Sequence, residues 1–186
     1  MSKKDIKDFS DVIVFKREKY ESELGYFTNT FNESLIKCNF IQDSVSHIHK
    51  SATVKGLHFQ NSPFSQAKLV TVLQGKIIDC IVDMRLNSDT YLDYGMIEIS
   101  DKNGKMLFIP RGFAHGYITL KENTLINYKI DNEYNPENEI TVNWKDKTLN
   151  IKWPEFDHYF LSNKDEQAPQ MNEITHKINI DEKLSF

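Results

Sequence analysis

Short apolar runs alternate with turn-forming residues along most of the chain, and long stretches with helical periodicity are rare. The runs are rich in β-branched and aromatic residues and partly alternate between apolar and polar positions, which is typical of half-buried strands. Many short strands separated by turns favour a β-sandwich or a β-barrel. The pattern predicts strands over Asp11–Phe15, Gly25–Phe31, Asn39–Asp43, Thr53–Gln60, Ala67–Leu73, Lys76–Met84, Tyr94–Ile99, Lys105–Ile109, His115–Leu120, Thr124–Ile130 and Ile140–Trp144.

Two glycine-containing turns separate neighbouring strands. Gln74-Gly75 lies between two apolar runs and predicts a tight hairpin turn. Lys102-Asn103-Gly104 predicts a second one, because Asn-Gly readily adopts the positive φ angles that such turns require.

Helices make a small contribution to the predicted fold. Short helices are expected over Asn32–Cys38 and in part of Tyr159–Glu166. No linker rich in Pro, Gly or Ser divides the chain. We therefore expect a single domain over residues 1–186, with a core over about 12–169 and a C-terminal arm over 170–186.

Composition and charge narrow the functional classes. The 186 residues are enough for one domain with a sizeable core, and a 12% share of aromatic residues argues against disorder. The formal net charge of −4 excludes a basic nucleic-acid surface as the main function. No stretch approaches the length of a membrane span, and no apolar signal segment follows Met1–Asp5. A cytoplasmic protein without nucleic-acid or membrane partners is expected.

Candidate metal ligands do not form a convincing site. Cys38 and Cys80 belong to no C-x-x-C pair, which excludes zinc ribbons and thioredoxin-type chemistry and leaves open only a single disulfide. His47-Ile48-His49 is an H-x-H pair of the kind found in metal sites, but Thr53 stands where a carboxylate ligand would follow. We therefore expect no metal.

Two histidine-containing segments and one lysine are the first candidates for chemistry. In Gly56-Leu57-His58-Phe59-Gln60, strand alternation places His58 and Gln60 on one face, where His58 is either a catalytic group or an ordinary solvent-facing residue. The glycines of Pro110-Arg111-Gly112-Phe113-Ala114-His115-Gly116-Tyr117 indicate a close backbone approach, or a plain loop. Lys68 lies between apolar neighbours, and on an interior face it must pair or contact a ligand, because burial of an unpaired ammonium is costly.

In order and spacing, these segments resemble the dTDP-4-dehydrorhamnose 3,5-epimerases over roughly Val12 to Pro169. The family implies a cupin-type jelly-roll of the all-β class with a few short helices. It also implies a homodimer that uses neither a metal nor an organic cofactor, and a nucleotide-linked 4-keto-6-deoxy sugar as substrate. The resemblance is carried by Gly56–Gln60, Gln66-Ala67-Lys68-Leu69-Val70, Asp79 to Arg85, Ile109–Gly116, Tyr128-Lys129, Tyr134-Asn135-Pro136, Trp144, Ile151-Lys152-Trp153-Pro154, and Leu161-Ser162-Asn163-Lys164-Asp165 with Ala168-Pro169.

The resemblance also assigns catalytic roles. A ketone at C4 acidifies the C–H bonds at C3 and C5, so epimerisation needs a base, an acid on the opposite face and stabilisation of the enolate. By resemblance, His58 is the base and Asp165 orients it, as in other His–carboxylate pairs. Lys68 faces the C4 oxygen, and Tyr128 is the acid, because an ordinary tyrosine is protonated at neutral pH.

Further residues fall on positions that line the family's substrate pocket. Asp83, His115, Gln60 and Tyr134 are expected to support the sugar, with Asp83 as a partner for Lys68 and Tyr134 as an alternative proton donor. The nucleotide is expected near Tyr26, Asn29, Gln42, Ser44 and Lys55.

The chain departs from the family at the nucleotide positions alone. Leu24 replaces an arginine assigned to the phosphates, Asn29 replaces a glutamate, Ser44 an asparagine and Lys55 an arginine. We expect preserved proton-transfer chemistry with an altered grip on thymidine diphosphate, since Arg and Lys bind phosphates differently.

Two alternatives stay open at this point. One is an epimerase that inverts only C3 or only C5 of a sugar carried by another nucleotide. The other is a non-catalytic jelly-roll that binds a nucleotide sugar or a glycan. The complete set of proton-transfer residues argues against the second, since a binding module needs no aligned base and acid.

Overall fold

The computed structural model describes residues 3–4, 6–9 and 11–180 of the chain. These residues form thirteen strands, two short α-helices and two short 3-10 helices over Ile6–Asp8 and Thr175–Lys177. The strands are β1 (Lys3–Lys4), β2 (Ile13–Lys16), β3 (Tyr20–Ser22), β4 (Gly25–Phe27), β5 (Gln42–Ile48), β6 (Val54–Gln60), β7 (Lys68–Gln74), β8 (Lys76–Asp83), β9 (Tyr94–Ser100), β10 (Lys105–Ile109), β11 (Phe113–Thr119), β12 (Thr124–Ile130) and β13 (Glu139–Thr141). The α-helices are α1 (Asn163–Glu166) and α2 (Met171–Ile174).

Two main sheets face each other. One has the strand order β1-β9-β8-β11-β6-β13 and the other the order β2-β10-β7-β12-β5, while β3 and β4 form a separate two-stranded hairpin. From β5 to β13 the chain passes from one main sheet to the other at almost every step, as in a jelly-roll. The prediction of an all-β jelly-roll is confirmed.

The strand β8 carries apolar residues on both of its faces. In β8, Ile81 joins the core between the two sheets, whereas Cys80 and Val82 point to the outer face. That outer face is covered by the C-terminal segment, which buries Met171 and Ile174 against it. The sheet that holds β8 is therefore the central layer of the molecule, and a strand buried on both faces is expected to be apolar throughout.

The C-terminal arm packs onto the body as far as it is described. Ile178 is buried in the same cluster as Met171, and the Ser62 N–H donates to the Asn179 carbonyl. Residues 181–186 of the predicted arm lie outside the described residues.

The two predicted hairpin turns reverse the chain but do not form hairpins. Gly75 (φ +89°) and Gly104 (φ +64°) adopt positive φ as expected. However, β7 pairs with β10 and β12, while β8 pairs with β9 and β11, so Gly75 leads from one sheet to the other. Gly104 does the same between β9 and β10. Turn chemistry specifies the reversal and not the sheet to which the next strand belongs.

The prediction of a helix over Asn32–Cys38 is wrong. The Asn32 side chain accepts hydrogen bonds from the Ser34 N–H and hydroxyl, which closes a local turn. Such side-chain acceptors compete with helical hydrogen bonds. The helix predicted within Tyr159–Glu166 is confined to α1, and α2 was not predicted.

Two further expectations concern the cysteines and the membrane. Cys38 and Cys80 are not joined by a disulfide. Among the described residues, no helix is both long and apolar enough to cross a membrane.

Candidate active site

Two adjacent strands bring the predicted histidines together. His58 on β6 is the register partner of His115 on β11. A Cβ atom on Gly116 would lie 2.7 Å from the Lys55 carbonyl oxygen, and one on Gly56, whose φ is +101°, would lie 2.6 Å from the His115 carbonyl oxygen. Only glycine fits at such distances, so the predicted close backbone approach is confirmed.

His58 is held by a buried carboxylate. Its Nε2 lies 2.6 Å from Oδ1 of Asp165, which is 1% exposed. Asp165 belongs to α1, where the Ser162 side chain caps the helix and donates to Asp165 Oδ2 over 2.6 Å. Burial by itself would raise the pKa of Asp165, but the close contact with the His58 ring and the hydrogen bonds from Ser162 and the Gly56 N–H outweigh it and hold that pKa below its ordinary value. The carboxylate is therefore ionised beside the histidine.

A second histidine–carboxylate pair lies beside the first. Nε2 of His115 is 2.8 Å from Oδ2 of Asp79 on β8, and both side chains are buried. The other oxygen of Asp79 is buried without a hydrogen-bond partner among the described residues. Burial raises the pKa of Asp79, against the opposing charges of His115 and Lys68. Sequence analysis quoted Asp79 but gave it no role.

The predicted pairing of Asp83 with Lys68 is wrong. Asp83 is bound by the Arg85 guanidinium at 2.8 Å and by the hydroxyls of Ser88 and Thr90 at 2.6 and 2.7 Å. These contacts use both carboxylate oxygens to hold the loop after β8. The carboxylates that act on Lys68 are Glu139 and Asp79.

Lys68 and Tyr128 come from the opposite sheet. Lys68 begins β7 and is partly buried, and burial lowers its pKa while Glu139 and Asp79 oppose that shift. Tyr128 lies on the adjacent strand β12, where burial raises its pKa well above the ordinary value and Tyr117 and Asp79 add to the effect. Tyr128 therefore keeps its proton through neutral and mildly alkaline pH.

These side chains share one cavity of about 220 Å³. Both sheets contribute to its walls, since His58, His115 and Tyr117 come from one sheet and Lys68 and Tyr128 from the other. It is lined by Ser46, Lys55, His58, Lys68, His115, Gly116, Tyr117 and Tyr128. Three of the four predicted catalytic side chains, those of His58, Lys68 and Tyr128, thus line one cavity. The fourth, that of Asp165, contacts the ring of His58.

Glu139 and Lys164 were missed by sequence reasoning. Glu139 on β13 forms an ion pair with Lys164 and accepts a 2.7 Å hydrogen bond from the Tyr134 hydroxyl. Its charge acts on both Lys68 and His58. Burial would raise the pKa of Glu139, but the bonds from Lys164 and Tyr134 outweigh it and lower that pKa. Lys164 directly precedes Asp165, and that adjacency was the available signal.

Gln60 holds a loop rather than facing the cavity. It is 5% exposed, and its amide nitrogen donates to the carbonyls of Phe64 and Glu133. Its amide oxygen accepts from the Asn135 N–H. With these bonds made, the structure does not bear out the expectation that Gln60 binds substrate.

Of the residues predicted to bind the nucleotide, Lys55 lines the cavity. The others do not line it: Tyr26, Asn29, Gln42 and Ser44. Gln42 and Ser44 are joined by a 2.9 Å hydrogen bond on the edge strand β5. Tyr26 is 51% exposed in the β3–β4 hairpin, and Asn29 is exposed just after it.

The H-x-H pair also lies apart from the cavity. His47 and His49 are exposed, with ring centroids 4.5 Å apart. In the described part of the chain, no group of three or more His, Cys, Asp or Glu side chains is placed to hold a metal ion.

Comparison with known proteins identifies close similarities. Residues 7–173 match the family model of dTDP-4-dehydrorhamnose 3,5-epimerase. The dTDP-4-dehydrorhamnose 3,5-epimerase of Sinorhizobium fredii is 38% identical over 170 residues, which cover 89% of this chain and 87% of that protein. The one from Methanothermobacter thermautotrophicus is 39% identical over 168 residues, which cover 87% and 90%.

Solved structures show the same similarity. The dTDP-4-dehydrorhamnose 3,5-epimerase of Bacillus anthracis, with TDP and PPi bound, has a TM-score of 0.84 and 36% identity over 88% of this chain and 95% of that one. The dTDP-6-deoxy-D-glucose-3,5-epimerase of Legionella pneumophila, in complex with dTDP-4-keto-L-rhamnose, has a TM-score of 0.85 and 33% identity over 92% and 94%.

Proposed function

The chain belongs to the dTDP-4-dehydrorhamnose 3,5-epimerase family, and from that premise we propose how it inverts a nucleotide-linked 4-keto-6-deoxy sugar. It is an isomerase of deoxysugar biosynthesis. The observation that carries the mechanism is the arrangement of one cavity, in which a carboxylate-held histidine on one sheet faces a lysine and a protonated tyrosine on the other.

His58 is the base that removes the proton next to the ketone. Its Nε2 is occupied by Asp165, which leaves Nδ1 to accept the proton. The ionised Asp165 fixes the ring orientation and stabilises the imidazolium that forms. His58 remains 25% exposed on the cavity side, so a substrate can reach it.

Lys68 stabilises the enolate. The electron pair left on the carbon spreads to the C4 oxygen, where a positive charge is most effective. Glu139 and Asp79 favour the charged form of Lys68 against its burial. His115, whose Nε2 contacts Asp79, lines the same cavity as Lys68, and its Nδ1 is the ring nitrogen left to hydrogen-bond to the sugar.

Tyr128 returns a proton to the opposite face of the carbon. It stands on the sheet opposite His58, and its raised pKa keeps it protonated when the substrate binds. Removal on one face and return on the other produces inversion. Tyr134, the alternative donor, is 58% exposed and donates to Glu139 instead, which favours Tyr128.

The cavity accommodates the sugar, and the nucleotide extends beyond it. Its volume of about 220 Å³ is below the range of roughly 300–1,000 Å³ that is usual for ligand pockets. Lys55 lies in the wall and provides a positive charge for the diphosphate. Gln42 and Ser44, on the neighbouring edge strand, are placed to bind the outer part of the nucleotide.

The homodimer is also part of this proposal. The β3–β4 hairpin exposes Tyr20, Tyr26 and Phe27 at 58, 51 and 64%. An exposed aromatic surface of this kind on a hairpin favours an interface with a second copy. The N-terminal strand β2 is not available for such an interface through its paired edge, because it pairs with β10 of the same chain.

Deuterium wash-in tests the proposal against a binding-only function. The wild-type chain is incubated in D₂O with a 4-keto-6-deoxy sugar nucleotide, and the label at C3 and C5 is read by NMR. An epimerase of both centres labels both carbons, and an epimerase of one centre labels one. The absence of label at saturating substrate would contradict the proposed function and favour a binding protein.

A further inference from the structure

A second cavity lies beside the end of β2, at the opposite end of β10 from the catalytic lysine. Lys16 pairs with Lys105 at one end of β10, whereas Lys68 pairs with Ile109 at the other end. The cavity has a volume of about 640 Å³, and none of the residues in its wall lines the catalytic cavity. It is therefore a separate site, for which the mechanism above has no role.

Positive charge is concentrated in the wall of this cavity. The wall contains a single carboxylate, Glu18, and four cations, which are Lys16, Arg17, Lys19 and Lys102. The cavity thus has an excess of three positive charges in a protein whose formal net charge is −4. Such a concentration of like charge attracts ions of the opposite sign.

Arg17 is the buried member of this group. It directly follows β2, is 6% exposed, and donates through Nη2 to the Val72 carbonyl over 2.7 Å. Its Nε is buried and has no hydrogen-bond partner in the described part of the chain. Among the described residues, Arg85 and Arg111 form ion pairs with carboxylates, whereas Arg17 forms none. Burial of a cation without an opposite charge is costly, so Arg17 points to an anionic ligand.

The turn between β9 and β10 contributes to the same site. The Arg17 N–H donates to the Gly104 carbonyl over 2.9 Å. A Cβ atom on Gly104, whose φ is +64°, would lie 3.4 Å from Arg17 Cγ and 3.3 Å from the Arg17 carbonyl oxygen. Glycine therefore leaves the space in which the arginine lies close to the turn, and Lys102 of that turn is exposed beside it.

We propose that this cavity is a second anion site, which binds a diphosphate group. Arg17 is its buried anchor, because a guanidinium matches the paired oxygens of a phosphate, and the exposed Lys16 and Lys102 add point charges. A diphosphate carries several negative charges and so balances the excess better than a carboxylate does. The volume lies within the roughly 300–1,000 Å³ that is usual for ligand pockets.

This site is independent of the epimerase reaction. Lys16, Arg17 and Lys102 lie outside the β3–β4 hairpin, which is the surface that the proposed dimer covers. The inference goes beyond the proposed function and does not rest on it.

Calorimetric titration with inorganic pyrophosphate tests the inference. The double variant Lys16→Ala/Lys102→Ala should weaken binding at least about tenfold, since two charged contacts are lost. Its kcat/KM for the sugar nucleotide should stay within about twofold of wild type. Lys55→Ala, which alters the catalytic cavity, should leave this binding within about threefold. If Lys55→Ala weakens the binding and the double variant does not, the anion lies in the catalytic cavity and the inference is overturned.

A matched control removes two exposed lysines elsewhere. Lys37→Ala/Lys121→Ala loses the same charge outside the cavity and should bind pyrophosphate as the wild type does. Equal losses in the two double variants would show a general charge effect and overturn the inference. A wild-type chain that binds no pyrophosphate at millimolar concentration would overturn it as well.

Arg17→Met tests the buried anchor, and the lysine variants keep the inference falsifiable if this one does not fold. With unchanged circular dichroism, Arg17→Met should weaken pyrophosphate binding at least about tenfold. Wild-type affinity in a folded Arg17→Met variant would contradict the role of Arg17 and overturn the inference.

Two further ligands, titrated into Lys55→Ala, identify the source of the diphosphate. Tighter binding of uridine diphosphate than of pyrophosphate would assign the site to a nucleotide, and equal binding would assign it to a free diphosphate. Both results support the site, provided that Lys16→Ala/Lys102→Ala weakens the binding. Equal affinity for sulfate would overturn the assignment of a diphosphate group.

Discussion

At the scale of single residues, the two histidines of the cavity differ in the state of their carboxylates. Asp165 is buried but receives enough hydrogen bonds to lower its pKa, whereas Asp79 is buried with one unpartnered oxygen and its pKa is raised. Neighbouring groups thus have different electrostatic environments, which is the usual way for one site to hold a base and its supporting groups. His58, beside the ionised carboxylate, is the better placed base.

Tyr128→Phe should separate proton removal from inversion. Without the tyrosine hydroxyl, His58 still removes a proton and returns it to the same face. Deuterium wash-in into substrate should therefore persist within a few-fold of wild type, while inverted product falls by about 10²–10⁴-fold, the range for loss of a positioned acid. NMR of recovered substrate and product in D₂O measures both rates. Equal losses of wash-in and inversion would show that Tyr128 is not a separate acid.

Asp165→Asn should slow proton removal without abolishing it. The amide keeps the size of the side chain but loses the charge that stabilises the imidazolium, and it keeps one acceptor oxygen where Asp165 offers one to His58 and one to Ser162. We expect wash-in and inversion to fall together, by roughly ten- to a hundredfold, since one charge-assisted hydrogen bond is lost. Initial rates over a range of substrate concentrations provide the measurement. Wild-type kcat in this variant would remove Asp165 from the mechanism.

The positions of His58, Lys68 and Tyr128 were predictable because each lies in a motif on a strand, whereas Asp165 lies on the helix α1. The sequence could not show which of Asp79 and Asp83 acts on Lys68, because the two residues are four positions apart on one strand and share its face. What distinguishes them is the loop after β8, where Arg85 binds Asp83. The hydrogen bonds of Gln60 could not be predicted for the same reason. Its partners Phe64 and Asn135 belong to loops whose path the sequence pattern does not specify.

At the scale of elements, most strands were predicted within a few residues of their observed bounds, but β1 and β3 were not predicted, and β5 runs over Gln42–Ile48 rather than Asn39–Asp43. The pairing partners of the strands were not predicted. The bounds of β10 and β12 agree with the prediction at both ends, because each run is apolar and bounded by turn residues. The turn at Gly75 was predicted, but its Cβ position is crowded by Thr124 of another strand, which no local pattern indicates. Sheet membership depends on contacts between distant segments.

The β3–β4 hairpin should determine the oligomeric state. Replacing both Tyr20 and Phe27 by Ser removes two exposed aromatic rings, and burial of each such side chain contributes about 1.5–3 kcal/mol. The dimer should weaken by a factor on the order of 10² or more. Sedimentation velocity at micromolar concentration should find the wild type dimeric and the double variant monomeric.

A matched control for the hairpin is Leu86→Ser, which alters an apolar residue of similar exposure, 52%, outside the hairpin. This variant should sediment as the wild type does. A monomeric wild type, or a double variant that remains fully dimeric, would contradict the proposed interface.

At the scale of the whole molecule, one of the departures from the family, Lys55, lines the cavity, whereas Leu24, Asn29 and Ser44 lie outside its wall. Leu24, where the family pattern has an arginine, is fully exposed at the tip of the β3–β4 hairpin. The departure at Leu24 therefore leaves the side chains that line the cavity unchanged.

The enzyme should not strongly prefer thymidine diphosphate. Loss of one charge-assisted contact at Leu24 weakens binding by roughly one to two powers of ten, while Lys55 retains some affinity for the diphosphate. The measurement is kcat/KM for one 4-keto-6-deoxy sugar carried on thymidine, uridine, cytidine and guanosine diphosphates. A preference for the thymidine form by about a thousandfold or more would contradict this prediction, and Leu24→Arg should then have little effect.

Proton abstraction by His58 is the central claim, and deuterium wash-in by His58→Asn tests it most directly. The variant removes the base and approximately keeps the shape of the side chain. With unchanged sedimentation and circular dichroism, wash-in at every carbon that the wild type labels should fall by at least about 10²–10⁴-fold. Wash-in near the wild-type rate would contradict the account, because the proton would then be removed by a group other than His58.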